Sequence, residues 1–435
     1  MLAHLSHGFR SIQAALRSIW PRRLSARLNA RWSISLFATC VSYGVYGHQS
    51  VFADEIVLGA AISLTGKYST NGQHTKNGYD LAIKRINADG GIAIEGKRYD
   101  LKIQYYDDES TPVRGAQLAE RLIKQDGVKF MLGPYSSGLT TAIAPVTEKY
   151  NIPMVEGNGA SASLFNNGYR YLFAVLSTTE QYLQSAINLA AEQAEKADRP
   201  VSSMKIAGVF ENDPFSQDIR AGVLSDIKRL GMNMIIDDKL PPDLNDMSAS
   251  LTKIKALKPD MLVVSGHAKG AALAIRQLAE MKIEVPLLAL THCDSAQLVE
   301  KFDKIAEYAF CASQWDRHLS YRDKWFGSAN EYASLFEKAF NYAPPYQAAE
   351  SSAAVLTFVD AFQRATSLDP TAVRDALAHT DLQTFYGNIK FDETGKNIAK
   401  PMVLYQIQNG EYKVVAPTQW ANTTPRYPTP PWSKR

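Results

Sequence analysis

The chain has 435 residues, 46% of them hydrophobic and 21% charged. This globular balance excludes disorder, collagen and coiled coil as the main architecture, and the length provides for two or three lobes with their own cores. The formal charge of +3 arises at one end: residues 1–53 hold six arginines and no acid, whereas from Asp54 onward 41 basic residues face 44 acidic ones. Such a mildly acidic body offers no electrostatic reason to expect nucleic acid or anionic lipid as a partner.

Residues 1–53 run basic, then apolar, then small. The apolar stretch 32–46 is broken by serines and a glycine and is too short for a membrane span of about 18 residues. Val51-Phe52-Ala53 fits the small-x-small pattern of a cleavage site. The pattern predicts a signal peptide over 1–53, cleaved near Ala53, and export; the long basic region is the argument for a later start codon or an uncleaved anchor. Cys40 follows Phe37-Ala38-Thr39, a poor lipoprotein box. Beyond it only Cys293 and Cys311 remain, and export permits a disulfide that spacing alone leaves open.

The body alternates short apolar runs with amphipathic segments. Strands are expected at 56–62, 101–106, 129–132 and 152–155, then at 205–210, 234–237, 261–264 and 287–290. Helical spacing falls between them, at 77–88, 112–125, 138–150, 180–195, 216–230, 247–257, 269–281 and 294–305. Strand–helix repetition implies an α/β fold with parallel sheets covered by helices, and the count implies two sheets, divided near 172–180. Helices follow at 329–340, 348–366 and 371–380. A late hairpin (402–407, turn Asn409-Gly410, 412–415) suggests that the chain re-enters a lobe it had left. Residues 417–435 hold five of the 20 prolines and read as an extended tail, packed on a lobe or disordered.

Three loops after strands carry the chemical signal. LTGKYSTNG (64–72) is neither a P-loop nor GxGxxG, so a nucleotide cofactor is not expected. GPYSSGLT (133–140) opens a helix at a strand's carboxyl end, where unpaired N–H groups and hydroxyls suit a carboxylate; N-capping by Ser136 or Ser137 is its structural reading. EGNGASAS (156–163) follows the next strand in the same way, and its small residues read equally as room for a ligand beside exposed backbone donors or as a simple loop. No GxSxG is present, the SxxK at 250–253 lacks companion motifs, and His267 and His292 have no third metal ligand beside them in the sequence. Neither an enzyme nor a metal site is expected.

Taken together, GAAISLTGKYSTNG (59–72), GYDLAIKRINADGGI (78–92), GPYSSGLT and YQAAESSAA (346–354) resemble the periplasmic leucine/isoleucine/valine-type solute-binding proteins of ABC importers. The resemblance implies the type I periplasmic binding protein fold, two Rossmann-like lobes joined by three crossovers, here 54–174 with 315–399 and 175–314 with 400–419, followed by a tail at 420–435. It implies capture of a small carboxylate in the interlobe cleft by hinge closure, delivery to a membrane permease, and a periplasmic location. The site it implies comprises Ser137, Thr140, Gly159, Ala160 and Ser161 as the carboxylate seat, Asn71 from the glycine-rich turn, and Phe215, His267 and His292 from the second lobe. Amino-acid binders of the family place an acid where this chain has His292, with Asp294 two residues on. An amino acid is expected if Asp294 turns inward, and an aromatic or organic acid if the two histidines and Phe215 face the cleft. Tyr68, Tyr135 and Trp315 are further candidate walls. A ligand-sensing receptor of the same fold is the alternative reading.

Overall fold

The computed structural model describes residues 54–242 and 244–435; the proposed signal peptide lies outside the described residues. Strands β1 (Asp54–Ile62), β2 (Ile92–Ile94), β3 (Lys97–Asp107), β4 (Met131–Leu132), β5 (Met154–Glu156) and β6 (Leu172–Ala174) form one sheet in the order β2-β3-β1-β4-β5-β6. β1 runs parallel to β3 from Asp54↔Tyr99 to Ile62↔Asp107, and β2 joins antiparallel. Covered on both faces, β1 is a nearly continuous buried run rather than an alternating one. Helices α1 (Ser69–Ala88), α2 (Pro112–Lys124) and α3 (Ser137–Lys149) connect these strands.

The second sheet uses β7 (Lys205–Glu211), β8 (Asn233–Leu240), β9 (Met261–Ser265), β10 (Leu287–Thr291) and β11 (Phe310–Ser313). Two small hairpins follow, β12 (Arg322–Asp323) with β13 (Gly327–Ser328) and β14 (Asp381–Gln383) with β15 (Asn388–Lys390). The returning hairpin, β16 (Val403–Gln408) and β17 (Glu411–Ala416), then completes the order β17-β16-β11-β10-β9-β7-β8. The helices of this part are α4 (Gln184–Lys196), α5 (Pro214–Leu230), α6 (Ser248–Leu257), α7 (His267–Glu280) and the single-turn α8 (Leu298–Phe302). The next three, α9 (Ala329–Phe340), α10 (Tyr346–Ala365) and α11 (Pro370–Ala378), belong to the first half.

Local sequence explains the boundaries. α5 begins at Asp213, whose carboxylate accepts the Ser216 N–H at 2.9 Å, has Pro214 in its first turn and ends at Gly231 with φ of 70°. α10 is buried on nearly every side because it lies between α1 and the sheet; Ser352 reaches the Gly78 carbonyl at 2.6 Å, and small residues permit this approach. α1 starts at Ser69, eight residues before the periodic pattern of 77–88, and absorbs half of the glycine-rich turn. Gly72 makes this entry fit, since a Cβ there would stand 1.8 Å from the Ser63 carbonyl oxygen.

Among the described residues the chain passes between the halves three times: after β6, after β11 and before β16. The passages are knitted together. The Gln314 side chain bonds both backbone groups of Ser177, the Ser177 hydroxyl reaches the Lys400 carbonyl at 2.7 Å, and the Lys400 ammonium donates to the Gln314 carbonyl. The expected helix 294–305 shrinks to α8 and a 3₁₀ turn, because Gln297 takes a left-handed φ of 54° and Cys293 is disulfide-bonded to Cys311. The tail is packed, with the Thr429 N–H on the Pro286 carbonyl and the Trp432 indole on that of Ile283. Among the described residues no helix is long and apolar enough to cross a membrane.

Candidate functional site

In both sheets the strand order changes direction beside a parallel strand, and the carboxyl ends of such strands are where α/β folds leave a crevice. Here the two crevices face each other. β4 and β5 deliver Tyr135, Ser136, Ser137 and Asn158; β7, β9 and β10 deliver Phe215, His267 and His292; α10 adds Tyr346 and Glu350. They line a closed core of 10 Å³, about one water in size. A neighbouring hollow of 170 Å³, which shares His267 with the core, is lined by Lys67, Tyr68, Asn71 and Glu211 among others. His267 and His292 both adopt positive φ, 51° and 62°, a conformation uncommon for non-glycine residues that concentrates at functional sites.

A hydrogen-bonded chain crosses this core. The Asp213 carboxylate lies 3.0 Å from His267 Nε2, His267 Nδ1 lies 2.5 Å from the Tyr135 hydroxyl, and that hydroxyl lies 2.9 Å from His292 Nε2. Burial pulls the His267 pKa down, but the Asp213 carboxylate more than reverses this and leaves it raised. Burial and then the neighbouring His267 hold His292 well below its ordinary value. The Tyr135 hydroxyl carries one hydrogen, so it donates to one of the two imidazoles and accepts from the other. His292 Nδ1 is buried without a partner, as are Ser136 Oγ and Asn158 Oδ1 on the same core.

The other half of the expected seat is occupied by the protein itself. Glu156, fully buried, accepts the Asn158 and Gly159 N–H groups on Oε1 at 2.6 and 2.8 Å and the Thr140 hydroxyl on Oε2 at 2.8 Å. Gly133 leaves the space, since a Cβ there would stand 2.0 Å from Glu156 Oε2. Burial raises the Glu156 pKa to about 7. The Ser161 N–H donates to Ser137 Oγ at 3.1 Å, the Ser161 hydroxyl goes across the cleft to Asp218 at 2.6 Å, and the Ala160 carbonyl takes the Thr179 N–H.

Ser137, Phe215, His267 and His292 therefore line the core, and Asn71 lines the neighbouring hollow with its Oδ1 unpartnered. Thr140, Gly159, Ala160 and Ser161 stand behind it, their polar groups held by the protein's own partners. Asp294 does not turn inward: its carboxylate accepts the N–H groups of Ser295 and Tyr346. Trp315 lies elsewhere, with its indole on the Phe385 carbonyl. Sequence reasoning missed Glu156, Asp213, Tyr182, Tyr346 and Glu350; only the small residues around Glu156 hinted that an anion was expected there. Burial drives the Glu350 pKa well above the usual carboxylate range.

Among the described residues one group has metal-ligand geometry: Glu211, Asp213 and His267, with ligand atoms within 4.8 Å of one another. Both His267 nitrogens are already engaged, by Asp213 and Tyr135, and the Lys67 ammonium stands 3.7 Å from Glu211. The cluster thus has a cation of its own.

The model of the family described as "Periplasmic binding protein" matches residues 55–411. The Leu/Ile/Val-binding protein BraC3 of Rhizobium johnstonii is 23% identical over 367 residues, covering 83% of this chain and 94% of its own. Among solved structures, the branched-chain amino acid transporter substrate-binding protein LivJ of Streptococcus pneumoniae, in complex with isoleucine, superposes with a TM-score of 0.72 at 22% identity, covering 84% of this chain and 100% of its own. A solute-binding protein of an ABC transporter from Rhodopseudomonas palustris BisB5, in complex with 3,4-dihydroxybenzoic acid, superposes at 0.71 and 18% identity, covering 88% and 100%. These structures share the type I periplasmic binding fold, and with the family model matching most of its length the chain belongs to the periplasmic binding protein family.

Proposed function

We propose that this protein is the solute-binding component of an ABC importer, that it captures a small carboxylate between its halves in the periplasm without making or breaking bonds, and that it hands it to a membrane permease. The lobes of this reading are 54–174 with 315–399 and 175–314 with 400–419. One observation carries the ligand class. Ser136 Oγ and His292 Nδ1 are unpartnered on one core, and a buried polar group without a partner is costly unless a ligand supplies one. The Ser137 hydroxyl hydrogen adds a donor to a surface that favours an anion. The walls are rings, Tyr135, Tyr182, Phe215 and Tyr346 beside the two imidazoles; the core as it stands holds about one water, so the halves must part to admit a solute, and these walls then suit a ring-bearing acid best.

A second reading, an amino acid, is favoured by Asn158 Oδ1, an unpartnered acceptor, and by Glu350 beside it on the core. An ammonium placed there would pair with the Glu350 carboxylate. Thermal shift with benzoate, 4-hydroxybenzoate, isoleucine and leucine separates the two readings: aromatic acids are expected to raise Tm most. If no carboxylate raises it, the proposal fails.

A further inference from the structure

The number of hydrogens in the chain that crosses the cleft core decides what His292 can offer a ligand. Asp213 fixes the far end. Its Oδ1 accepts the Ser216 N–H at 2.9 Å and its Oδ2 lies 3.0 Å from His267 Nε2. An ionised carboxylate only accepts, so His267 Nε2 carries a hydrogen. Burial pulls the Asp213 pKa up, but His267 and the Ser216 N–H more than reverse this and leave it lowered. Tyr135 then brings a single hydrogen between His267 Nδ1 at 2.5 Å and His292 Nε2 at 2.9 Å.

With both rings neutral, only one arrangement satisfies every link. His267 takes the Tyr135 hydrogen on Nδ1, the Tyr135 oxygen accepts from His292 Nε2, and His292 Nδ1 is left as a bare lone pair. That end repels a carboxylate. One further proton reverses it. On His267, it turns the Tyr135 hydrogen toward His292 Nε2 and moves the His292 hydrogen to Nδ1; on His292, it sits on Nδ1 directly. In both cases Nδ1 becomes an N–H donor and the other links stay satisfied.

The surroundings favour this extra charge. Glu211 and Asp213 act on His267 against the single ammonium of Lys67, which lies 3.7 Å from Glu211, and the Tyr68 ring packs on the imidazole. Around His292 stand the rings of Phe215 and Tyr346, and Tyr182 and Glu350 complete the core. A carboxylate bound at His292 would add a further anion beside the chain.

We infer that Asp213, His267 and Tyr135 are positioning residues that set the specificity of the core through His292: the chain must hold one proton more than two neutral rings carry before an acid is captured, and without it Nδ1 presents a lone pair that turns acids away. The inference rests on the carboxylate reading, with the acid group at His292 Nδ1. By linkage, affinity for the acid falls as pH rises through the value at which the free chain loses that proton.

Nitrogen-15 spectra of the histidine rings in the full chain saturated with benzoate at pH 7.5 test this, the two rings being assigned by the signals lost in His267→Gln and His292→Gln. In the complex His292 Nδ1 is expected to carry a hydrogen, and one of the two rings to carry hydrogens on both nitrogens. Asp213→Asn gives the sharper result. Its oxygen can keep the Ser216 N–H while its amide donates to His267 Nε2, so the variant supplies the missing hydrogen itself. It should bind benzoate with both rings neutral, and calorimetry should show its Kd nearly constant from pH 6.5 to 9.5 where that of wild type rises at least tenfold. A loss of structure alone would not flatten a pH profile. A wild-type complex with both rings neutral or with His292 Nδ1 bare overturns the inference and leaves the carboxylate reading standing, as do equal pH profiles for the two proteins. If neither benzoate nor any other carboxylate binds across that range, both fall.

Discussion

Glu156 places a carboxylate where the strand-to-helix loops collect their free N–H groups, so the anion-loving geometry is already half used by the fold. Its pKa of about 7 lies above the ordinary 4.5, so the folded state holds this proton more tightly than the unfolded chain does. Its contribution to stability is therefore whole below pH 4.5 and is lost as pH rises to about 7. Glu156→Gln keeps an oxygen for the Asn158 and Gly159 N–H groups and can offer its amide to Thr140. The Tm of this variant minus that of wild type should climb between pH 4.5 and 7 and then level off; a difference flat across that range would mean that Glu156 is ionised throughout. Glu156→Ala instead strands the Asn158 and Gly159 N–H groups, while the Thr140 hydroxyl keeps the Ser136 carbonyl, and should cost about 2–3 kcal/mol in chemical denaturation. Ser137 is the complementary case, since its hydroxyl hydrogen has no partner among the described residues and faces the core. Ser137→Ala removes one charge-assisted bond to the carboxylate, about 1.5–3 kcal/mol or roughly 10- to 100-fold in Kd. An unchanged Kd in calorimetry would place the acid group elsewhere.

At the scale of elements, the order of strands and helices was legible wherever apolar runs and caps were strong. β1, β7, β9 and β10 carry continuous buried runs, and α5 announces itself through Asp213, Pro214 and Gly231. What escaped was short or held by distant partners. β11 (FCAS) is four residues of mixed size, made a strand by β10 and β16 on either side. The segment after β10 has helical spacing, yet Asp294 bonds to the start of α10 and Cys293 is tied to Cys311, neither of which local pattern reveals. The site was legible to the same degree: the loops that build it carry recognisable small residues, but Tyr346 and Glu350 arrive on a helix nearly 200 residues further along, from a surface that reads only as buried. The disulfide tests how far β10 depends on this distant support. It closes a loop of 18 residues, for which loop entropy gives about 3 kcal/mol, and it anchors the residue next to His292. Cys293→Ser with Cys311→Ser should lower stability by about that amount and weaken carboxylate binding. Full affinity in the folded double variant would mean that His292 is positioned without the bridge.

For the molecule as a whole, the question is what holds the halves together. Ser161 bonds Asp218 across the cleft and Lys67 bonds the Pro242 carbonyl at its rim, but both contacts lie at or near solvent, where a bond lost on opening is replaced by water. Tyr135 differs, because its hydroxyl reaches from the first half to both histidines of the second in the buried core. On opening, all three groups meet water; on closing, they must find one another or remain unsatisfied. Tyr135→Phe therefore removes the compensation while leaving the cost: in the closed form His267 Nδ1 and His292 Nε2 would be buried without partners. At about 1–3 kcal/mol for each stranded group, the equilibrium moves toward the open form by tenfold or more, since a two-state hinge responds only to differential stabilisation of its two states. Small-angle scattering of the unliganded proteins should give a larger radius of gyration for Tyr135→Phe than for wild type, and a saturating carboxylate ligand should bring the two together by supplying the histidines with a new partner. Identical radii before ligand addition would show that the crossovers at Ser177, Gln314 and Lys400 set the angle between the halves, with the core contributing nothing to closure.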